Sequence, residues 1–248
     1  MIQNFFFSFG KYWMLMRTVF SRPERWSMYW RETVRQMHDI GVGSVVIVGL
    51  ISIFMGAVSA IQFAYQLDGQ LVPLYYIGYI VRDLAIIELA PTITALVLAG
   101  KVGSNIAAEL GGMRQKEHID AMEIMGVNTA SYLIMPKIIA GIVMIPLLVT
   151  VSAFVATLGG YLATVPTGYL TDMDYLRGLR AFFVPYNVVV MYVKSFVFGY
   201  ILTSVPSFQG YYVVGGSIEL GRASTNAVVY SNILILLFDY LIAVLLTG

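Results

Sequence analysis

Three stretches of this chain carry no charged residue: between Asp39 and Asp68, between Lys137 and Asp172, and between Lys194 and Glu219. Each exceeds the roughly 20 apolar residues needed to cross a bilayer core as a helix. They are continuously apolar rather than alternating, so they predict spanning helices and not barrel strands. The chain as a whole is 58% hydrophobic and 12% charged, a charged fraction about half that of soluble domains.

The pattern predicts an all-α integral membrane protein with a single transmembrane domain over 1–248. Spans are expected at 43–66, 84–103, 132–165, 186–206 and 227–246. Residues 1–40 form interfacial or cytoplasmic helices, and 104–131 are polar enough to leave the membrane. In 5–20, Phe5, Phe6, Phe9, Tyr12, Trp13, Met16 and Phe20 fall on one face at helical spacing, opposite Lys11. That is the pattern of a helix lying in the headgroup plane.

Ser21 and Pro23 read as a helix restart, and Gly41 and Gly43 open the first span. Within that span Ser52, Gly56 and Ala60 are spaced by four, a small-residue stripe that admits a close neighbour from the same chain or from a second copy. Residues 68–83, with Gly69, Pro73 and Gly78, read as a loop or short re-entrant piece. The uncharged length of the third span, between Lys137 and Asp172, is longer than one crossing, so it is expected to tilt, kink near Pro146 or extend beyond the bilayer. A short helix is expected over 174–182.

Five spans place the termini on opposite sides. The N-terminal segment together with 101–137 and 207–225 holds eleven basic residues, against three (Arg82, Arg177 and Arg180) on the other side. By the positive-inside rule the N-terminus and 104–131 are cytoplasmic. The first residues lack a basic n-region followed by an apolar core and cleavage site, so no removable signal peptide is expected.

Three ionisable residues fall inside expected spans: Glu88, Lys194 and Asp239. A charge in hydrocarbon costs a few kcal/mol at least, so each should face protein or a water-filled cavity and have a partner. Counted at about 1.5 Å per residue, all three lie in the outer half of the bilayer. This suggests a polar or amphipathic cavity opening away from the cytoplasm, with Lys194 and Asp239 as an ion pair serving either helix register or the substrate path. Glu88 precedes Pro91 by less than one turn, where the missing amide leaves a carbonyl free.

In the cytoplasmic stretch, Glu117, Asp120 and Glu123 form one row three apart, and Ile119, Met122 and Met125 a second. Gly126 suits the C′ position that ends such a helix. The short acidic helix over 116–125 could dock in a partner's groove or be a solvated loop helix.

Several classes fall away. With no cysteine there is no disulfide, thiolate or cysteine-ligated metal chemistry. The only histidines, His38 and His118, are both expected in the cytoplasm and neither has a partner at ligand spacing, so no catalytic set and no metal site is expected. Net charge near zero gives no sign of a nucleic-acid partner. No GxxxxGK[ST] phosphate loop is present, so any ATP must be hydrolysed elsewhere. An ion- or proton-conducting protein that relays charge through Glu88, Lys194 and Asp239 is the alternative to a transporter.

The run ELAPTITALVLAGKVGSNIAAELGGMRQKEHIDAMEIMGV, followed by YLIMPKIIAG, resembles the core motif of the permease family of Mla-type ABC transporters. FQGYYVVGGSIELGRASTNAVVYSNILILLFDY is similar to the family's C-terminal motif. The resemblance implies a homodimeric permease of the bacterial inner membrane, with a cytoplasmic N-terminus and a periplasmic C-terminus, moving phospholipid or a related lipid. It implies a separate ATP-hydrolysing subunit that uses ATP and Mg, a periplasmic MCE-domain partner, room for an accessory cytoplasmic subunit, and no cofactor in this chain. Carried over by position, 117–126 is the coupling helix, with Glu117, Asp120, Ala121, Met122, Glu123 and Gly126 at the ATPase contact, and the spans surround a lipid site between protomers. The family commonly has Arg immediately before the Glu of ELAP; here that residue is Ile87, so Glu88 needs another partner. The cysteine sometimes found in the family's later motif is replaced by the Ser207-Phe208 region.

Overall fold

In the computed structural model, which describes residues 2–21, 26–67 and 73–247, every regular element is a helix. In chain order these are α1 (Ile2–Ser21), α2 (Trp26–Met37), α3 (Gly43–Leu67), α4 (Tyr75–Leu84), α5 (Thr94–Leu98), α6 (Ser104–Gln115), α7 (His118–Ile124), α8 (Thr129–Thr164), α9 (Asp172–Arg180), α10 (Pro185–Tyr211) and α11 (Ser217–Thr247). Wider π-helical turns at His38–Val42, Ala85–Ile93 and Ala99–Gly103 join α2 to α3 and carry α4 through α5 into α6. Five continuous helices are long and apolar enough to cross a membrane: Tyr29–Leu67, Tyr75–Gln115, Thr129–Thr164, Pro185–Tyr211 and Ser217–Leu246. The restart expected at Pro23, the punctuation at Gly69 and the side chain of Phe5 lie outside the described residues.

The small-residue stripe of α3 meets α8 of the same chain. A Cβ built on Gly56 would lie 1.8 Å from the Ala156 carbonyl oxygen, and one on Gly159 would lie 2.1 Å from that of Ile53. The two backbones can approach this closely only because neither residue has a side chain. Ser52 and Ser152 join hydroxyls at 2.7 Å in the same seam, and Thr94 donates to Ser152 at 3.0 Å. α8 runs unbroken through Pro136 and Pro146 for 36 residues, roughly 54 Å. It packs against α3 and α10 at the centre of the bundle.

Residues 75–84, where a loop or short re-entrant piece is expected, form a helix that continues into the second span. Gly78, which the sequence pattern marks as a breaker, sits instead at a helix crossing: a Cβ there would lie 2.7 Å from the Tyr175 carbonyl, and one on Gly178 would lie 2.1 Å from that of Tyr75. Two facing glycines let α4 cross α9 in contact. Arg82 then reaches across to the C-terminal carbonyls of α9, donating to Leu179 at 2.8 Å and Ala181 at 2.9 Å while paired with Asp83 at 2.7 Å. A cation at that end complements the helix dipole.

The second span also continues through α6 and does not end at Gly103. Ala107, Leu110 and Gly111 face inward there, and a Cβ on Gly111 would meet Leu220 of α11 at 2.4 Å. An amphipathic helix packed on one side can leave the membrane without unwinding.

α1 has two apolar faces. Phe6, Phe9, Trp13 and Phe20 are exposed, as an interfacial helix requires. Tyr12 and Met16, expected on the same face, turn inward with Leu15 and Val19. Tyr12 donates to Ser204 at 2.9 Å, and burial pushes its phenol pKa up, so it remains a neutral donor.

Candidate functional site

The intramembrane charges converge on Lys194. Pro91, which has no N–H to donate, lies within the π-helical turn over Ala85–Ile93, and the same turn presents the Ile87 carbonyl to α10. Lys194 Nζ donates to that carbonyl at 3.1 Å and to Glu88 Oε2 at 2.9 Å. It also forms an ion pair with Asp239 Oδ1 at 2.7 Å. An ammonium has three donors, and here three oxygens from two other spans surround it. The Lys194 side chain is 0% exposed, Asp239 11% and Glu88 46%. The pair expected between Lys194 and Asp239 is present, and Glu88 joins it. The partner that Ile87 cannot supply as an arginine comes from α10, with the carbonyl of Ile87 itself as the third acceptor.

A cleft of about 610 Å³ lies elsewhere. It is lined by Gln36, Asp39, Lys101, Asn105 and Ser224 among others, and by none of the three converging charges. Within this chain the triad is closed around its lysine, and the half-exposed Glu88 carboxylate is its open side.

α7 is shorter than the expected 116–125, and both its boundaries are sharp. Glu117 precedes it in the left-handed region at φ 57. Gly126 follows at φ 80, with Gly126 N–H donating to Glu123 at 3.0 Å and Val127 N–H to Met122 at 3.1 Å. That pair of bonds is a Schellman stop with glycine at C′. The acidic row does not face outward as a set. Arg114, at the end of α6, pairs with Asp120 at 2.9 Å and Glu123 at 3.6 Å. Glu123 also accepts from Tyr211 at 3.0 Å and Thr129 at 3.1 Å. Ile119 is buried and Met122 half-buried, while Ala121, Ile124 and Met125 are exposed. The outward surface is therefore Glu117, His118, the open flank of Glu123 and a small apolar patch at 121, 124 and 125.

One buried cation goes unnoticed in the sequence reading. Lys137 donates to Glu109 at 2.6 Å and is almost fully buried. Its position at the border of an uncharged stretch makes it look like a boundary residue, yet the preceding Pro136 does not end α8 and Lys137 remains inside the bundle. Arg114, Thr129 and Tyr211 also escape notice, since nothing in their spacing ties them to Glu123.

Fold and charges together define a multi-pass, all-helical membrane protein with an ion cluster between spans and a separate capped helix at the span ends. The chain matches the family described as Permease MlaE over residues 33–245. It is 34% identical to a probable ABC transporter permease protein of Rickettsia bellii over 95% of this chain and 90% of the relative. It is 31% identical to the chloroplastic protein TRIGALACTOSYLDIACYLGLYCEROL 1 of Arabidopsis thaliana, over 87% of this chain and 61% of that one. It is 27% identical to the intermembrane phospholipid transport system permease protein MlaE of Haemophilus influenzae, over 99% and 94%. The chain belongs to the MlaE permease family.

Proposed function

We propose that this chain is the transmembrane subunit of an ABC transporter that moves phospholipid or a related lipid between the inner membrane and a periplasmic MCE-type carrier. A partner ATPase supplies the energy. The observation that carries this reading is α7, whose exposed Ala121, Ile124 and Met125 stand on a base fastened to the ends of three other helices. A short helix held this way at the span ends suits a helix-in-groove contact with a motor subunit. The phospholipid substrate is supported by the Haemophilus relative. Basic residues concentrated at the α7 end support a cytoplasmic position for that end.

The need for a motor follows from the substrate. Each methylene moved out of hydrocarbon costs about 0.8 kcal/mol, so extracting a two-chain lipid is steeply uphill. A homodimer would put the open sides of two triads, at Glu88, toward a shared apolar cavity that shelters the acyl chains. ATP-driven movement of α7 would open and collapse that cavity.

The test is to purify the complex, identify co-purifying subunits, and measure lipid retained by mass spectrometry and lipid transferred per ATP in vesicles. Co-purification of an ATPase with bound phospholipid is the expected result. Protein that binds neither and conducts ions by itself would replace this reading with the channel alternative.

A further inference from the structure

We propose that Glu123 is the positioning residue through which displacement of α7 reaches the bundle, and that Tyr211 is its receiver on α10. This rests on the reading of α7 as the motor contact. The backbone gives α7 little stiffness at either end. It enters from α6 through left-handed Glu117 and leaves for α8 through left-handed Gly126, so neither junction continues a helix. Side chains must carry the load.

Ile119 and Met122 seat α7 on the core, but apolar contact is non-directional. Glu123 supplies direction. Its Oε1 receives Tyr211 Oη at 3.0 Å, Thr129 Oγ1 at 3.1 Å and Arg114 Nη1 at 3.6 Å. Tyr211 and Thr129 are themselves 2.7 Å apart and both buried. Two hydroxyl protons thus serve three oxygen contacts, and without the carboxylate the two hydroxyls have only each other.

The four helices meeting at this point contribute one end each: α6 through Arg114, α7 through Glu123, α8 through Thr129 and α10 through Tyr211. The α10 contact matters most, because 88 residues of chain separate Glu123 from Tyr211 and no adjoining backbone links α7 to α10. Along α10, Tyr211 lies roughly 25 Å from Lys194 at about 1.5 Å per residue. A single continuous helix therefore joins the α7 node to the intramembrane ion cluster.

The test uses the full transporter complex in vesicles of phosphatidylethanolamine and phosphatidylglycerol that carry a fluorescent phosphatidylethanolamine. Tyr211→Phe removes the hydroxyl and leaves the outward surface of α7 intact. The expected result is unchanged ATPase association and hydrolysis, with lipid transferred per ATP lowered about fivefold or more, the lower range of a one-to-few kcal/mol coupling. Thr129→Val should act in the same direction, and Thr129→Ser, which keeps the hydroxyl, should retain transfer. An unchanged transfer-to-hydrolysis ratio in Tyr211→Phe overturns the proposal, as does a loss of hydrolysis and transfer in parallel or a failure to assemble, since each denotes a structural bond only. If the wild-type complex neither holds an ATPase nor transfers lipid, the transporter reading itself fails, a result distinct from normal coupling in Tyr211→Phe.

Discussion

Lys194 and Glu123 are each shared among several helices, yet they sit in opposite environments. Lys194 is entirely enclosed, with two carboxylates and a carbonyl at 2.7 to 3.1 Å. Glu123 is 46% exposed, and water can substitute for any partner it loses. In a low dielectric, a charge whose partner is removed has no alternative, whereas at the span ends the same loss is cushioned by solvent. A buried cluster of this kind holds helices in one arrangement, and a wet node can be remade during a cycle.

The sharpest way to break this contrast is to remove the lysine. Lys194→Met leaves Glu88 and Asp239 facing each other without their shared cation. A loss of about 3–5 kcal/mol is expected, the usual cost of breaking a buried pair. It should appear as a fall in folded yield and in the thermal unfolding midpoint in detergent. A Lys194→Met protein as stable as wild type would show that the cluster contributes nothing to the packing of the spans.

Within the cluster the two carboxylates should differ. Asp239 is 11% exposed and Glu88 46%. Asp239→Asn should therefore cost about 3 kcal/mol, the lower end for breaking a buried ion pair. Glu88→Gln should cost less, because Glu88 is the less enclosed of the two and Gln keeps an oxygen that can accept from Lys194. The same unfolding measurement decides, and the reverse order would mean that Glu88 is the true counter-ion. Lipid transfer is expected to respond the other way, with Glu88→Gln the more damaging if the open side of the triad faces the substrate.

At the α7 end the effects shrink. Gly126 has φ 80 and nothing within 4 Å of a built Cβ, so Gly126→Ala meets only backbone strain, about 1 kcal/mol. The expected result is faster amide hydrogen exchange confined to α7 and its junction with α8. Exchange accelerated across α8 and α10 as well would show α7 to be part of the global folding unit.

Much of this was legible in the sequence, for identifiable reasons. Long uncharged runs fix spans because hydrocarbon excludes charge, and Gly126 marks a helix end because few other residues tolerate a left-handed turn. The missing N–H of Pro91 follows from proline chemistry alone, but which carbonyl it deprives of a donor depends on the π-helical turn, which spacing does not show. What could not be read were matters of mutual rotation and approach. Whether Gly78 breaks a helix or lets one cross depends on Gly178, a hundred residues away. Lys137 looks like a boundary until Glu109 is placed beside it. The acidic row of α7 reads as one face, but Arg114 turns Asp120 and Glu123 toward the protein and leaves Ile124 outward. The partners of Lys194 were only half legible, because spacing gives depth in the membrane and not which helix stands next to which.

The smallest stability effect and the clearest functional one should coincide at Ile124, which is 88% exposed. Ile124→Asp adds a charge to a side chain that touches almost nothing. If α7 stands in water, the unfolding midpoint should move by no more than the equivalent of about 0.5 kcal/mol, as for other surface substitutions. An apolar contact on a docking helix is another matter, since burying an unpaired carboxylate in a partner's groove is costly, so ATPase co-purification should be lost. Phe54→Asp is the control: Phe54 is also exposed, but it lies in the middle of α3, where a charge facing lipid should cost a few kcal/mol and reduce insertion. An Ile124→Asp protein that fails to insert as Phe54→Asp does would put α7 in the membrane and end its candidacy as a motor contact. One that inserts and still holds the ATPase would leave α7 in water but move the contact elsewhere.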